Sequence, residues 1–337
     1  MRYFIWFLSS VFLLACGEEE RKWNDHAVDY RYPSWWPEMV VPQDNLPTQL
    51  RLELGRRLFF SKELSASKEV SCGSCHVASA AFTDGKTVSV GAHGKSGKRN
   101  APTLANLGWH PYYMMEGGVP HLELQAMAPM TDSLEMNGNI MAIVHRLEHD
   151  QLLQDLSQAA YGRPFDVYVL TRALACYQRS FISTDSRFDR TYYEHNDQMS
   201  EDEKAGMNLF FSNKTNCSSC HALPNFTDYG FYNVGLSKQY SDPGKKRENY
   251  KDEDEGKFKT PSLRNSELTA PYMHDGSLNT LEEVIDHFNT GGKGHVNQDA
   301  RIKPLGLTEQ EKKQLVLFLK TLTDWNFVQN SAFLPYE

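Results

Sequence analysis

The stretch "LGRRLFFSKELSASKEVSCGSCHVASAAFTD" (54–84) contains the five residues that decide the fold, Cys72-Gly73-Ser74-Cys75-His76. Cys-x-x-Cys-His is the attachment signature of c-type haem, in which both thiols bond the porphyrin and the adjoining His reaches the iron. The pattern returns in "AGMNLFFSNKTNCSSCHALPNFTD" (205–228), at Cys217, Cys220 and His221. Its flanks match as well, with Leu-Phe-Phe-Ser before the motif and Phe-Thr-Asp after it. "RNAPTLANLG" (99–108) then parallels "FKTPSLRNSE" (258–267), and "EGGVPHLE" (116–123) parallels "DGSLNTLE" (275–282). Three matching blocks in one order describe a duplication, each copy with its own haem. The interval from Cys72 to Cys217, 217 − 72 = 145 residues, fits one domain. A redox dithiol or half a zinc site is the competing reading. It requires Cys or His partners at zinc spacing that the chain does not supply.

The rest of the composition is consistent with this reading. With 337 residues, 40% of them hydrophobic, the chain can fill two cores. A net charge of −8 and the lack of a basic stripe argue against nucleic-acid binding. "MRYFIWFLSSVFLLACG" (1–17) carries Arg2 and then an apolar run too short to span a bilayer. It ends in Leu13-Leu14-Ala15-Cys16, which resembles the bacterial lipoprotein box, with a plain secretory signal as the alternative. Removal of residues 1–15 would leave 337 − 15 = 322 residues, beginning at a lipidated Cys16. That places the protein in the bacterial cell envelope, lipid-anchored and facing the periplasm or the cell surface. Residues 16–40 read as a tether or N-terminal extension. Cys176 is left over and reads as a small buried hydrophobe.

Helical periodicity dominates the remainder. It runs through "LPTQLRLELGRRLFF" (46–60), "NIMAIVHRLEHDQLLQDLSQAAYG" (139–162) and "DVYVLTRALACYQRSF" (166–181), with a break at Gly162-Arg163-Pro164. "LTEQEKKQLVLFLKTLTDW" (307–325) opens with Thr308 as N-cap and Glu311 closing a capping box. The charged segment 241–259 reads as an exposed loop, and no series of alternating strands is present.

With these motifs assembled, the chain resembles the bacterial dihaem cytochrome c peroxidase family, which includes MauG-like proteins. "LGRRLFF", "HGKSGKRNAPTLAN", "LELQAMAP…EMN", "TPSLRN" and "LTAPYMHDGSLNTLEE" carry the resemblance between about Val41 and Asp324. It implies a mostly α fold of two tandem cytochrome c-like domains, 41–195 with a peroxide-reducing haem and 196–337 with an electron-input haem. Electrons would come from a small donor, a c-type cytochrome or a cupredoxin. It also implies that His76 and His221 are axial ligands and His93 a distal ligand that must move before peroxide binds. Gln125 and Glu135 match the distal pair, the carboxylate shuttling a proton and the amide orienting the substrate. Taken without the resemblance, His93 could equally be a histidine on a flexible loop, with Gly91, Gly94 and Gly97 giving it room to rearrange. A calcium ion would use the Asn100 side chain and the carbonyls of Thr269 and Pro271. Many family members are dimers, which makes a homodimer an expectation here.

Two departures stand out. The family places a Trp relay before the Asp-Gly that matches Glu116-Gly117, and here that position is Met115. The sixth ligand of the second haem, a Met or Tyr in the family, falls on Phe288, which has no ligating atom. Leu281, Val284, Ile285 and Phe288 form one apolar helical face, so neighbouring His287 is expected to turn away from it. Met273 reads as part of a turn. The functions weighed are a dihaem peroxidase reducing hydrogen peroxide, a MauG-like oxidase that modifies a partner protein, and a dihaem electron carrier.

Overall fold

The computed structural model describes residues 23–336, so the expected signal segment 1–15 and Cys16 lie outside the described residues. Two crossed helix pairs organise the chain. Thr48 caps the Gln49–Phe60 helix by accepting the Arg51 N–H, and Asp166 caps Val167–Arg179 through the Val169 N–H. The two helices meet at Gly55, where a Cβ would lie against the Ala173 carbonyl and 2.6 Å from Tyr177 Cβ. The second pair repeats the device. Capping boxes at Ser200/Glu203 and Thr308/Glu311 start the helices Glu201–Phe210 and Glu309–Lys320. They cross at Gly206, where a Cβ would abut the Gln314 carbonyl and Phe318 Cβ at 2.9 Å. In each pair the glycine faces residues four apart, one ridge of the partner helix.

Each pair encloses its own core. Leu54, Leu58, Phe59, Phe82, Leu174 and Phe181 centre the first, and Phe188, Phe210, Phe226, Leu315 and Phe318 the second. The two cores interleave along the chain. Phe188 already belongs to the second core, whereas Phe327, Val328 and Phe333 return to pack on the first.

A buried polar junction joins the halves. Asn106 and Asn265, matched positions of the repeat, both take a left-handed φ of 60°. Asn106 holds the linker by accepting the Ser183 N–H at 2.8 Å and donating to the Ser183 carbonyl at 2.9 Å. Asn265 donates to Ser183 Oγ at 2.9 Å and accepts the Asp324 N–H at 2.8 Å. Beside it, Arg264 is fully buried and forks onto Asp189 at 2.7 and 2.8 Å, while also donating to the Pro224 carbonyl. A buried guanidinium satisfied at this many points is a fixed strut.

The structure differs from the expected elements in four places. The helical stretch 139–162 breaks at Glu148–Asp150, where Asp150 caps a new helix, Gln151–Tyr161. The 241–259 segment is ordered and not a solvated loop. Its charges pair internally, as in Lys246–Glu255 at 2.8 Å, and Asp242 reaches Arg99 of the first half at 2.6 Å. A short antiparallel pair, Phe231–Tyr232 with Phe258–Lys259, is the only sheet among the described residues. From residue 23 onward the expected tether is packed: Trp36 and Met39 are buried, and Tyr30 donates to the Cys176 carbonyl at 2.8 Å. Cys176 is itself fully buried, as expected. No helix of the described residues is long and apolar enough to cross a membrane.

The glycine crossings give a direct test. Gly55→Ala and Gly206→Ala should each cost about 1–3 kcal/mol through overpacking, read as a lower midpoint of thermal or denaturant unfolding. Unchanged midpoints in both variants would refute the close approach.

Candidate functional site

Cys72 and Cys75 occupy a single helical turn whose N-cap is Ser71, and His76 ends that turn. His76 Nδ1 lies 2.8 Å from the carbonyl of Phe82. In the second half His221 Nδ1 lies 3.0 Å from the carbonyl of Phe226. A carbonyl only accepts, so each Nδ1 carries the proton and each Nε2 is the nitrogen left with the ring lone pair; the Pro102 and Pro261 carbonyls also bear on the two rings. Burial pushes both imidazoles below their ordinary pKa, partly offset by the carbonyl bond, and holds them in the neutral, ligating form.

The four thiols are unpaired. Burial raises all of them, Cys72 to about 12. A redox dithiol needs the opposite, a lowered thiol pKa. Neither pair gathers a further Cys, His or carboxylate at metal-binding distance among the described residues. Two thiols and one oriented imidazole, repeated once, suit covalently held haem and neither alternative.

The first half adds the groups expected for peroxide. Glu135 sits on a tight turn following the Met127–Thr131 helix, its N–H bonded to the Asp132 carbonyl. Although the side chain is exposed, the surrounding protein desolvates its carboxyl and raises the pKa. Asp132 adds to the shift and Arg99 opposes it. Gln125 ends the short Leu122–Gln125 helix and points Nε2 at Met114 Sδ, 3.8 Å away. That helix is anchored through Glu123, which forms a buried ion pair with Arg179 and accepts from Asn45 at 3.1 Å.

His93 is exposed, with a left-handed φ of 59°. Its loop is tied to Glu135, because the Ala92 N–H donates to the Glu135 carbonyl at 2.6 Å. The glycines expected to loosen this loop are not equivalent. Gly91 is pressed against the Leu134 and Glu135 backbone and acts as an anchor, whereas nothing stands within 4 Å of a Cβ built at Gly94.

At the junction, the Asn100 N–H donates to the His274 carbonyl at 2.9 Å and its side chain to the Lys86 carbonyl at 2.8 Å. Asn100 therefore lies alongside the turn that follows Thr269 and Pro271. The Met115 carbonyl accepts the Lys259 N–H at 2.7 Å. Lys259 Nζ donates to the Tyr112 carbonyl at 2.9 Å and lies 3.2 Å from His110 Nδ1; burial lowers the ammonium to about 8. Trp109, the other indole near Met115 in sequence, donates to the Pro37 carbonyl and packs on Tyr32 and Trp36 of the N-terminal segment.

Phe288 lies on the Leu281–Thr290 helix, and His287 has its Nε2 3.0 Å from the Val234 carbonyl. His287 is half-buried and engaged with backbone of the Val234 segment. Met273, at φ 73°, forms part of the Tyr272–Leu278 turn.

Sequence reasoning missed Phe82 and Phe226, whose carbonyls set both imidazoles, and Lys259. The two phenylalanines carried a signal, because each stands in the repeated Phe-Thr-Asp. Lys259 carried none.

The family model for di-haem cytochrome c peroxidase matches residues 49–198. The chain is 36% identical to the methylamine utilization protein MauG of Methylorubrum extorquens, over 85% of this chain and 82% of that one. It is 33% identical to the cytochrome-c peroxidase IdrP1 of Denitromonas iodatirespirans, over 85% of each. A crystal structure described as a MauG-like protein associated with microbial copper homeostasis superposes with a TM-score of 0.86 at 35% identity. It covers 91% of this chain and 99% of that one. The chain belongs to the di-haem cytochrome c peroxidase family.

Proposed function

We propose that this protein is a dihaem peroxidase that reduces hydrogen peroxide to water with electrons from a small c-type cytochrome or cupredoxin. The observation that carries this reading is the repeated attachment turn, in which His76 and His221 each have Nδ1 held by a phenylalanine carbonyl, with the Glu135 turn bonded to the His93 loop in the first half. Cys72 and Cys75 would hold the first haem covalently with His76 as axial ligand. Cys217, Cys220 and His221 would hold the second. When bound, these groups supply the redox-active iron at which peroxide is reduced. Glu135 accepts the first proton of hydrogen peroxide and returns it to the departing oxygen, and the Gln125 amide orients the substrate. His93, on its tethered loop, guards access to that side.

Calcium is read at the Asn100 side chain with the carbonyls of Thr269 and Pro271, supported by the bond from Asn100 to the His274 segment. Lipidation at Cys16 would anchor the protein in the envelope, facing the periplasm, and a homodimer remains part of the reading. A MauG-like oxidation of a partner protein is the second reading. The 36% identity to MauG of Methylorubrum extorquens supports it, and Phe288 removes the Met ligand, although it equally removes the Tyr of MauG-like members. Mass spectrometry of a co-purified partner after peroxide treatment tests it, through added oxygen or a crosslink.

Glu135→Gln should lower peroxide-dependent oxidation of a reduced c-type cytochrome by about 10²–10⁴-fold while both haems stay attached. The raised carboxyl sets a sign as well. The base is lost as pH falls through a pKa above the ordinary glutamate value, so the wild-type acid limb should lie above that value and vanish in Glu135→Gln. Retained turnover in the variant would overturn the assignment.

His287→Ala should leave the low-temperature EPR of the second haem unchanged and cost about 1 kcal/mol of stability through the lost hydrogen bond. A changed axial signature would show His287 to be a ligand.

A further inference from the structure

Away from both attachment turns, the end of the Ile140–Leu147 helix carries His145, Glu148 and His149. One ligand atom from each lies within 4.8 Å of the other two. His145 Nδ1 is 2.7 Å from Glu148 Oε1, and the two imidazole rings stand 5.1 Å apart at 74°. We propose that His145, Glu148 and His149 form a surface site for a borderline divalent transition ion, copper(II) or zinc(II).

The backbone beneath the three side chains is fixed. Ile143, Val144 and Leu147 bury the opposite face of the helix. The Glu148 N–H bonds the Val144 carbonyl, the Asp150 N–H bonds the Leu147 carbonyl, and Gln154 Nε2 holds the Glu148 carbonyl at 2.8 Å. The side chains above are free to adjust, with those of His145 and Glu148 76% and 39% exposed. Bonds of about 2.0–2.2 Å to one ion set ligand atoms roughly 3–3.5 Å apart. Small rotations of exposed side chains therefore close the present spread.

The donor set selects the ion. Two imidazoles with one carboxylate suit zinc and copper, whereas calcium and magnesium require oxygen throughout. The negative end of the helix dipole lies at the same place and favours a cation. Three protein ligands leave further positions to water, so the site is open.

Haem-loaded full-length protein dialysed against zinc chloride or copper sulfate, with bound metal counted by mass spectrometry, tests this directly. One equivalent should bind, and anomalous diffraction at the metal edge should place it between His145 and His149. The double variant His145→Ala/His149→Ala should weaken that affinity by at least about tenfold without altering the haem absorbance or far-ultraviolet circular dichroism. Equal affinity in the variant, or an anomalous peak elsewhere, would overturn the site. So would the absence of an equivalent at micromolar metal.

Discussion

Both attachment turns rest on the same hydrogen bond, from an imidazole Nδ1–H to the carbonyl of a phenylalanine in left-handed backbone. Phe82 and Phe226 sit at φ of 63° and 52°, a conformation that costs a bulky residue about 1–2 kcal/mol. Burial of the ring offsets that cost. Phe82 stacks on Phe181 at 4.0 Å and Phe226 meets Phe188 edge-on at 5.0 Å, each with no exposed surface. The rings are therefore core and their carbonyls are part of the site. A change in core packing at Phe181 or Phe188 would reach the imidazole through one residue, without touching the attachment turn.

The same economy governs how the halves meet. Asn106 and Asn265 are buried amides that must satisfy donors and acceptors on both ends; Asn106 spends them on Ser183 of the short linker and on Asn225, and Asn265 on Ser183 and on Asp324, in the chain that follows the last long helix. The linker is thus gripped from two sides at Ser183. The C-terminal segment then carries Phe327 and Phe333 against Phe82, so the last residues of the chain pack beside the residue that aims His76. The two halves are joined by these buried polar groups, reinforced by the Arg264–Asp189 strut.

Much of this was legible because the chain is duplicated. Leu-Phe-Phe-Ser supplies the core rings Phe59 and Phe210, Phe-Thr-Asp supplies the two orienting carbonyls, and the shared Asn supplies the junction. The repeat marked these positions without revealing what each does, since a carbonyl has no residue identity. What stayed hidden depends on partner choice in three dimensions. Asp189 and Arg264 are 75 residues apart, and neither is unusual in its own segment. The 241–259 charges read as solvated because a run of mixed charge does not show which pairs form within it, and because Arg99, the partner of Asp242, lies in the first half. The break at Glu148–Asp150 was obscured by apolar periodicity that continues through it, although Asp150 is an ordinary capping residue.

The His93 loop shows how much a single glycine's surroundings matter. Sequence makes Gly91, Gly94 and Gly97 equivalent points of freedom, yet Gly91 has the Leu134–Glu135 backbone where a side chain would be. With the Ala92 N–H on the Glu135 carbonyl, the loop's leading edge and the turn bearing the carboxylate are one unit. Gly94, open on all sides at φ 70°, is the point where the loop can bend. Rotation there leaves the Ala92–Glu135 bond intact and Glu135 in place. A hinge at Gly91 would break that bond and displace Glu135 together with His93. Under the proposed roles, the packing separates His93 from the Glu135 turn, and it does so with one missing Cβ and one backbone hydrogen bond.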